Sequence, residues 1–310
     1  MEETQKPRML GWSIVYIVLL LSLMAPLLNL VTFFFLLVPV LVLYVRLGTK
    51  SFLIHYLASL AIVYVLVSFL LIGWIGAMLV SVSLFLLPPV IQMGNLYKKR
   101  APARSVLNAG AVTLLIELLI SLVVAHLFGL NPVGAMKRFM IDSFNLYSPQ
   151  MKSLMGVDID TIVHLSVQML PMYMITFSLL YAVISHAVTR RVLVRLGESV
   201  PAFRPIKDWK LPKSFIWIYV VALVLELFTK DMESTLFTVV LNLLPLLSTA
   251  FAIQAISFLF FVAHMNRWNK TLPIVGIALL LLFPPLFFLF SLIGVFDVAF
   301  PIRDRITRKE

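Results

Sequence analysis

Seven apolar tracts fill most of this chain, and the polar stretches between them are too short to form a soluble domain. They run from Gly11 to Val45, Ser51 to Met93, Ser105 to Leu130, Thr161 to Val188, Ser214 to Phe228, Leu236 to Ala263 and Leu272 to Phe300. A hydrocarbon core about 30 Å thick takes roughly 20 helical residues to cross. The first two tracts are therefore hairpins. Pro26 and Asn29 divide the first into helices near 11–27 and 30–45, and Gly73 and Gly76 divide the second into 51–71 and 74–93. Each remaining tract supplies one span, with 214–228 short enough to sit shallow. The expected fold is all-α: a polytopic transmembrane bundle of eight or nine spans, read as one integral membrane domain over 1–310.

Composition supports the bilayer as the solvent. Charged residues make up 13% of the chain and apolar ones 61%, with a mean hydropathy of +1.03; soluble domains carry roughly a quarter charged residues. The chain has no cysteine, which excludes disulfides, thiolate metal sites and cysteine catalysis. A net charge of +11 suits cytoplasmic loops facing anionic lipid rather than nucleic acid, because no basic run is interleaved with aromatics. The N-terminal apolar stretch lacks a small-residue cleavage site and outlasts a signal-peptide core, so it reads as a retained first span.

Basic residues set the expected orientation. With a cytoplasmic N-terminus, the cytoplasmic loops hold Arg46, Lys50, Lys98, Lys99, Arg100, Arg104, Arg190, Arg191, Arg195, Arg204, Lys207, Lys210, Lys213, Arg267 and Lys270. The opposite loops hold Lys137, Arg138, Lys152 and Lys230. This bias is the positive-inside pattern. The tail residues Arg303, Arg305, Arg308 and Lys309 fall outside after nine spans, unless the last tract folds back at Pro284-Pro285 as a re-entrant pair.

Two loops have patterns of their own. In the extracytoplasmic loop 131–160, Asn131 and Pro132 form a helix start. Val133, Met136, Met140, Phe144 and Tyr147 then share one face, Lys137, Arg138, Asp142 and Asn145 take the other, and Ser148-Pro149 stops the run. This is an amphipathic helix, serving as connector or as lid. The cytoplasmic loop 189–213, with Pro201, Pro205, Pro212 and Trp209, reads as an ordered strap, either plainly solvated or a docking surface.

Soluble-enzyme motifs, including any nucleotide-binding loop, are missing, and the chain is expected not to be an enzyme and to carry no cofactor or metal. Chemistry then rests on polar groups inside spans, which are costly in hydrocarbon. Glu117 lies at the middle of its span between two Leu-Leu-Ile runs, as a ligand or proton site or as an interhelical hydrogen bond. Glu226, near the end of its short span, is a second candidate, with Asn242 and Gln254 as further ligand-binding candidates. His126 follows Glu117 by nine residues, about 900° around the helix, so the two do not face each other. Each histidine reads as interfacial packing. Pro171, Pro245 and Pro284-Pro285 interrupt spans, which is tolerated where helices line a cavity. Three pairs at four-residue spacing, Gly73/Ala77, Ser178/Ala182 and Ser248/Ala252, allow close helix approach.

The last tract ends Gly294-Val-Phe-Asp297-Val-Ala-Phe300-Pro-Ile-Arg303. This G-x-x-D-x-x-F-x-x-R ending, on a chain of this length and hydropathy, resembles the YybS-like family of uncharacterised Bacillus-type membrane proteins. That family is distantly similar to the substrate-binding components of energy-coupling-factor transporters. The resemblance implies a bacterial plasma-membrane protein that binds a solute or is associated with transport. The alternative is a membrane scaffold recruiting a cytoplasmic or envelope complex. Expected partners are the bilayer, a small-molecule ligand, and a membrane or cytoplasmic protein. Asp297 and Arg303, six residues apart, read as a local salt bridge pinning the tail or as a partner contact.

Overall fold

The computed structural model describes residues 6–70, 73–147, 158–229, 231–268, 271–283 and 285–307. Lys152, Lys230, Lys270, Arg308 and Lys309, the Ser148-Pro149 stop and Pro284 of the Pro-Pro break lie outside them. Among the described residues the regular structure is helical, with no strand. Six stretches are long and apolar enough to cross a membrane: Asn29–Arg46, Thr49–Leu70, Gly73–Lys98, Ala103–Leu127, Leu170–Arg195 and Thr235–Met265. Shorter apolar helices cover Met9–Ser22, Ser214–Phe228, Thr271–Leu280 and Leu286–Ala299.

The helices gather into two compact units. One comprises residues 1–132 and 174–203; the other comprises 133–173 and 204–310. The first holds α1 (Lys6–Ser22), α2 (Asn29–Phe35), α3 (Leu37–Arg46), α4 (Thr49–Leu70), α5 (Gly73–Phe85), α6 (Leu87–Lys98), α7 (Ala103–Leu127) and most of the helix Leu170–Arg195. Its helices are sided with respect to packing. In α4, Phe52, Tyr56, Leu60, Val63 and Val67 are buried at helical spacing, while Ile54 on the other face is 68% exposed. An outward face of Leu, Ile, Val and Phe is what lipid solvates and water does not.

Prolines place the breaks inside two spans. Pro39 has no N–H to give the carbonyl of Phe35, and the chain steps at Leu36 between α2 and α3. Pro88 and Pro89 likewise leave Leu84 and Phe85 without donors, and the step at Leu86 separates α5 from α6. The chain turns around Pro26 as expected; α4 ends at Leu70 and α5 starts at Gly73, with Gly76 inside it rather than in a turn. Of the small-residue pairs, Gly73/Ala77 is exposed, and the close approach belongs to Gly76, against Tyr64 and Ser68. At Gly94 a Cβ would lie 2.3 Å from the ring of Tyr44; only glycine lets α6 and that ring meet.

The second unit contains α8 (Pro132–Asn145), α9 (Ile159–Gln168), the start of α10 (Leu170–Arg195), α11 (Ser214–Phe228), α12 (Thr235–Met265), α13 (Thr271–Leu282), α14 (Leu286–Ala299) and α15 (Ile302–Thr307). Most of the amphipathic pattern of 131–147 is helical, but the helix stops at Asn145, and Tyr147, expected on its apolar face, lies past its end and is exposed. Val133, Met136, Met140 and Phe144 are half-buried, and Lys137, Arg138, Asp142 and Asn145 are exposed. Asn242 lies at the break between α9 and α10. Its Oδ1 accepts from Met172 N at 2.8 Å and its Nδ2 donates to Gln168 O at 2.8 Å. These are the two backbone groups that a continuous helix would bond to each other, so one amide side chain bridges the interruption beside Pro171.

Candidate functional site

The best-built polar centre lies in the second unit, where α12 and α14 pack along each other. Phe290, Ser291, Gly294, Asp297 and Val298 form the buried face of α14. At Gly294 a Cβ would sit 1.8 Å from the carbonyl oxygen of Phe251. The absence of a side chain therefore brings the α14 backbone against that of α12. One turn on, this places the Asp297 carboxylate, 0% exposed, inside the seam.

Phe300 ends α14 in extended backbone, as the residue before a proline must. The chain turns at Pro301 and α15 returns Arg303 toward the carboxylate. The guanidinium grips it bidentately, Nε donating to Oδ1 at 2.9 Å and Nη2 to Oδ2 at 2.6 Å. Its remaining donors go to the Lys207 carbonyl at 2.6 Å and the Ser257 hydroxyl at 3.2 Å. The rings of Phe258 and Phe261 lie 5.9 and 5.1 Å from its centre, within cation–π range. Fork-to-fork pairing with further hydrogen bonds is what a buried ion pair needs to offset its desolvation.

The same centre holds the strap. Gln254 donates to Asp297 and accepts from Leu211 N at 2.9 Å. The Ser257 hydroxyl shares its one hydrogen between the carbonyls of Ile206 and Trp209, 2.7 and 2.8 Å away. The indole of Trp209 closes back on Arg204 O at 2.8 Å. The stretch 204–211 is thus tied to α12 through its own backbone; Leu211 packs on the core around Phe251, Lys207 is half-buried, and the side chains of 204–206 and 208–210 face outward.

The strap and the end of α12 wall a cleft of about 690 Å³. Pro205, Ile206, Phe260 and Ala263 supply apolar surface, and Lys207, His264 and Arg267 supply cationic or ionisable groups beside Trp268. Lys207 and Ile206 do double duty: their carbonyls are held by Arg303 and Ser257, and both residues line the cleft. The volume lies within the usual range for small-molecule sites. Among the described residues, no three metal-ligating side chains converge.

The sequence candidates separate in the structure. Gln254, Gly294, Asp297 and Arg303 come together. Phe300 does not join them; its ring is 53% exposed and stacks on Phe296 at 5.9 Å. Asn242 is a backbone brace. Glu226 is exposed on α11, its carbonyl taken by Thr229. Glu117 is half-buried in the first unit with Oε2 enclosed and unbonded. His186 is fully buried, with Nδ1 2.8 Å from the Tyr97 hydroxyl and its ring edge-on to Phe203. Sequence reasoning counted Lys207 and Arg267 only as loop charges and missed Ser257. No periodicity links positions some fifty residues apart on separate elements.

A helix assembly apolar on its outside and polar at its internal braces defines a multi-pass integral membrane protein, and this chain is one, of the plasma membrane. A family model described as a predicted membrane protein (DUF2232) matches residues 13–298, and the chain belongs to that family. It is similar to the uncharacterised protein YybS of Bacillus subtilis (strain 168), with 20% identity over 309 residues covering 95% of each chain. No solved structure matches it.

Proposed function

We propose that this protein is a non-enzymatic, solute-binding or transport-associated component of the membrane, with the cleft beside the strap as its binding site. In this reading the chain crosses the bilayer eight or nine times, the basic loops are cytoplasmic, and α8 lies on the extracytoplasmic side. The observation that carries the reading is the coupling of the cleft to the buried ion pair. A closed polar network under one wall holds a binding surface in shape without occupying it.

The test is ligand-dependent thermal stabilisation of the detergent-purified protein, paired with mass spectrometry of co-purifying small molecules. Met265 also lines the cleft, and filling it by Met265→Trp should remove the stabilisation while the protein still inserts and folds. Retention of the full response in Met265→Trp overturns the assignment to this cleft. Glu117 is the second candidate site, on the strength of its enclosed, unbonded oxygen. Glu117→Gln should leave the response intact; its loss would move the site to the first unit.

A scaffold role is the second reading, favoured by one specific feature. The pinned strap presents Trp209 and Lys210 exposed at its surface, a fixed rather than a floppy epitope. Lys210→Gln with Lys213→Gln should then lose a crosslinked protein partner, and an unchanged crosslink would remove the reading.

A further inference from the structure

Resting on the cleft as the binding site, we infer that its ligand is a phosphate-bearing amphiphile, the phosphate held by Lys207 and Arg267 and the apolar part lying on Ile206, Phe260 and Ala263. Three observations converge on this chemistry.

The first is charge. Arg303 is spent on Asp297, but among the described residues no carboxylate forms an ion pair with Lys207, His264 or Arg267. Two permanent cations share one concave surface with an ionisable imidazole, and an anion with several acceptor oxygens satisfies all three donors. Carbonyls at the end of α12 add negative potential there, so the cations also keep the site from repelling an anion.

The second is depth. The helix α12 has 31 residues, about 46 Å at 1.5 Å per residue, against a hydrocarbon core of about 30 Å. Its ends therefore reach the headgroup layers, and the cleft sits at one of them. Trp268, 56% exposed beside the cleft, is the residue type that settles at this level.

The third is the split character of the lining. Pro205 and Ile206 of the strap and Phe260 and Ala263 of α12 are apolar, while Lys207 of the strap, His264 in the last turn of α12 and Arg267 just past its end are basic. A ligand polar throughout would leave the apolar wall unused, and a neutral apolar one would leave the cations unpaired. An amphiphile uses both.

Anionic phospholipid headgroups and free organic phosphates share this chemistry, and the test separates them. The full-length protein in neutral detergent would be titrated with short-chain phosphatidylglycerol, short-chain phosphatidylcholine and glycerol phosphate, with binding read by native mass spectrometry. The variant pair is Lys207→Gln with Arg267→Asn. Arg267 has a φ of 52°, a backbone state that Asn tolerates well, and Lys207 holds Arg303 through its carbonyl, so neither change touches the ion pair.

Each lost cation should weaken anionic-lipid binding about fivefold, and the pair about thirtyfold, with the unliganded melting temperature unchanged. Phosphatidylglycerol bound well above both other probes assigns a lipid ligand. Glycerol phosphate bound as tightly, with the same loss in the variant, assigns a soluble phosphate. Equal binding of phosphatidylcholine, or undiminished phosphatidylglycerol binding in the double variant, overturns the inference. If Met265→Trp still abolishes a ligand response that the double variant preserves, the cleft remains a solute site and only its anionic character is wrong.

Discussion

The two units bury polar groups in opposite ways. In the second, the seam between α12 and α14 closes on itself: both oxygens of Asp297, both amide atoms of Gln254, the Ser257 hydroxyl and each donor nitrogen of Arg303 are bonded. Ser291 alone stands aside. In the first, one face of α10 carries Ser178, Ser185, His186 and Thr189, all buried, and each has a polar atom with no partner. The imidazole is bonded on one side only, to Tyr97. Residue type does not separate the two cases. A charged group demands that everything around it be satisfied, because an uncompensated charge in hydrocarbon is far more costly than an idle hydroxyl. The seam in the second unit is therefore an all-or-none device, and the α10 face is a set of independent small penalties.

Removing one member of the closed seam should have the largest effect. Arg303→Ala leaves Asp297 buried and unpaired and should cost about 3–5 kcal/mol, read as a lowered unfolding midpoint in detergent. Replacing both partners with apolar residues, Asp297→Leu with Arg303→Met, should cost much less than the two single changes added together. An additive result would show that the groups act separately and would break the contrast with α10.

Next is Gly294→Ala. A methyl group aimed at the Phe251 carbonyl forces α12 and α14 apart and should cost about 1–3 kcal/mol, or more where the backbone cannot move. The distortion should also weaken ligand response, since Ser257 and Gln254 ride on the displaced helix. A wild-type melting curve for Gly294→Ala would mean that the seam is looser than its geometry.

Gln254→Leu removes the acceptor of Leu211 N and one donor to Asp297 while keeping the volume. About 1–3 kcal/mol should be lost, and the strap should become accessible to protease near Lys210. Protection equal to wild type would show that Ser257 and Arg303 hold the strap without it.

Smallest is the α10 face. Ser185→Ala and Thr189→Val delete hydroxyls that bond nothing, so each should be neutral or stabilising by up to about 1 kcal/mol. A loss beyond that in either would reveal a partner for the hydroxyl and make the two units alike.

Much of the architecture was legible because hydrophobic thickness and chain geometry act locally. The bounds of α11 and α12, the turn near Pro26, the start of α5 at Gly73 and the start of α8 at Pro132 follow from tract length, turn residues and capping. The breaks at Leu36 and Leu86 were equally local in cause, since Pro39, Pro88 and Pro89 remove specific donors. The site was half legible. The ending from Gly294 to Arg303 stood out as a pattern and Gln254 as a costly polar residue, but nothing in spacing joined the two.

The sequence by itself determined that this chain lives in a bilayer, how its helices are bounded, and that its tail carries an acid and a base within reach of each other. Those properties depend on composition and on neighbours a few residues apart. Only the tertiary structure decided that Gln254 and Ser257 turn toward that pair, that Arg303 holds the strap through the Lys207 carbonyl, and that the strap's outer side walls a cleft with His264 and Arg267. These groups lie up to 96 residues apart along the chain. They meet because Gly294 lets two helices touch backbone to backbone, and a contact between distant segments leaves no period in the sequence.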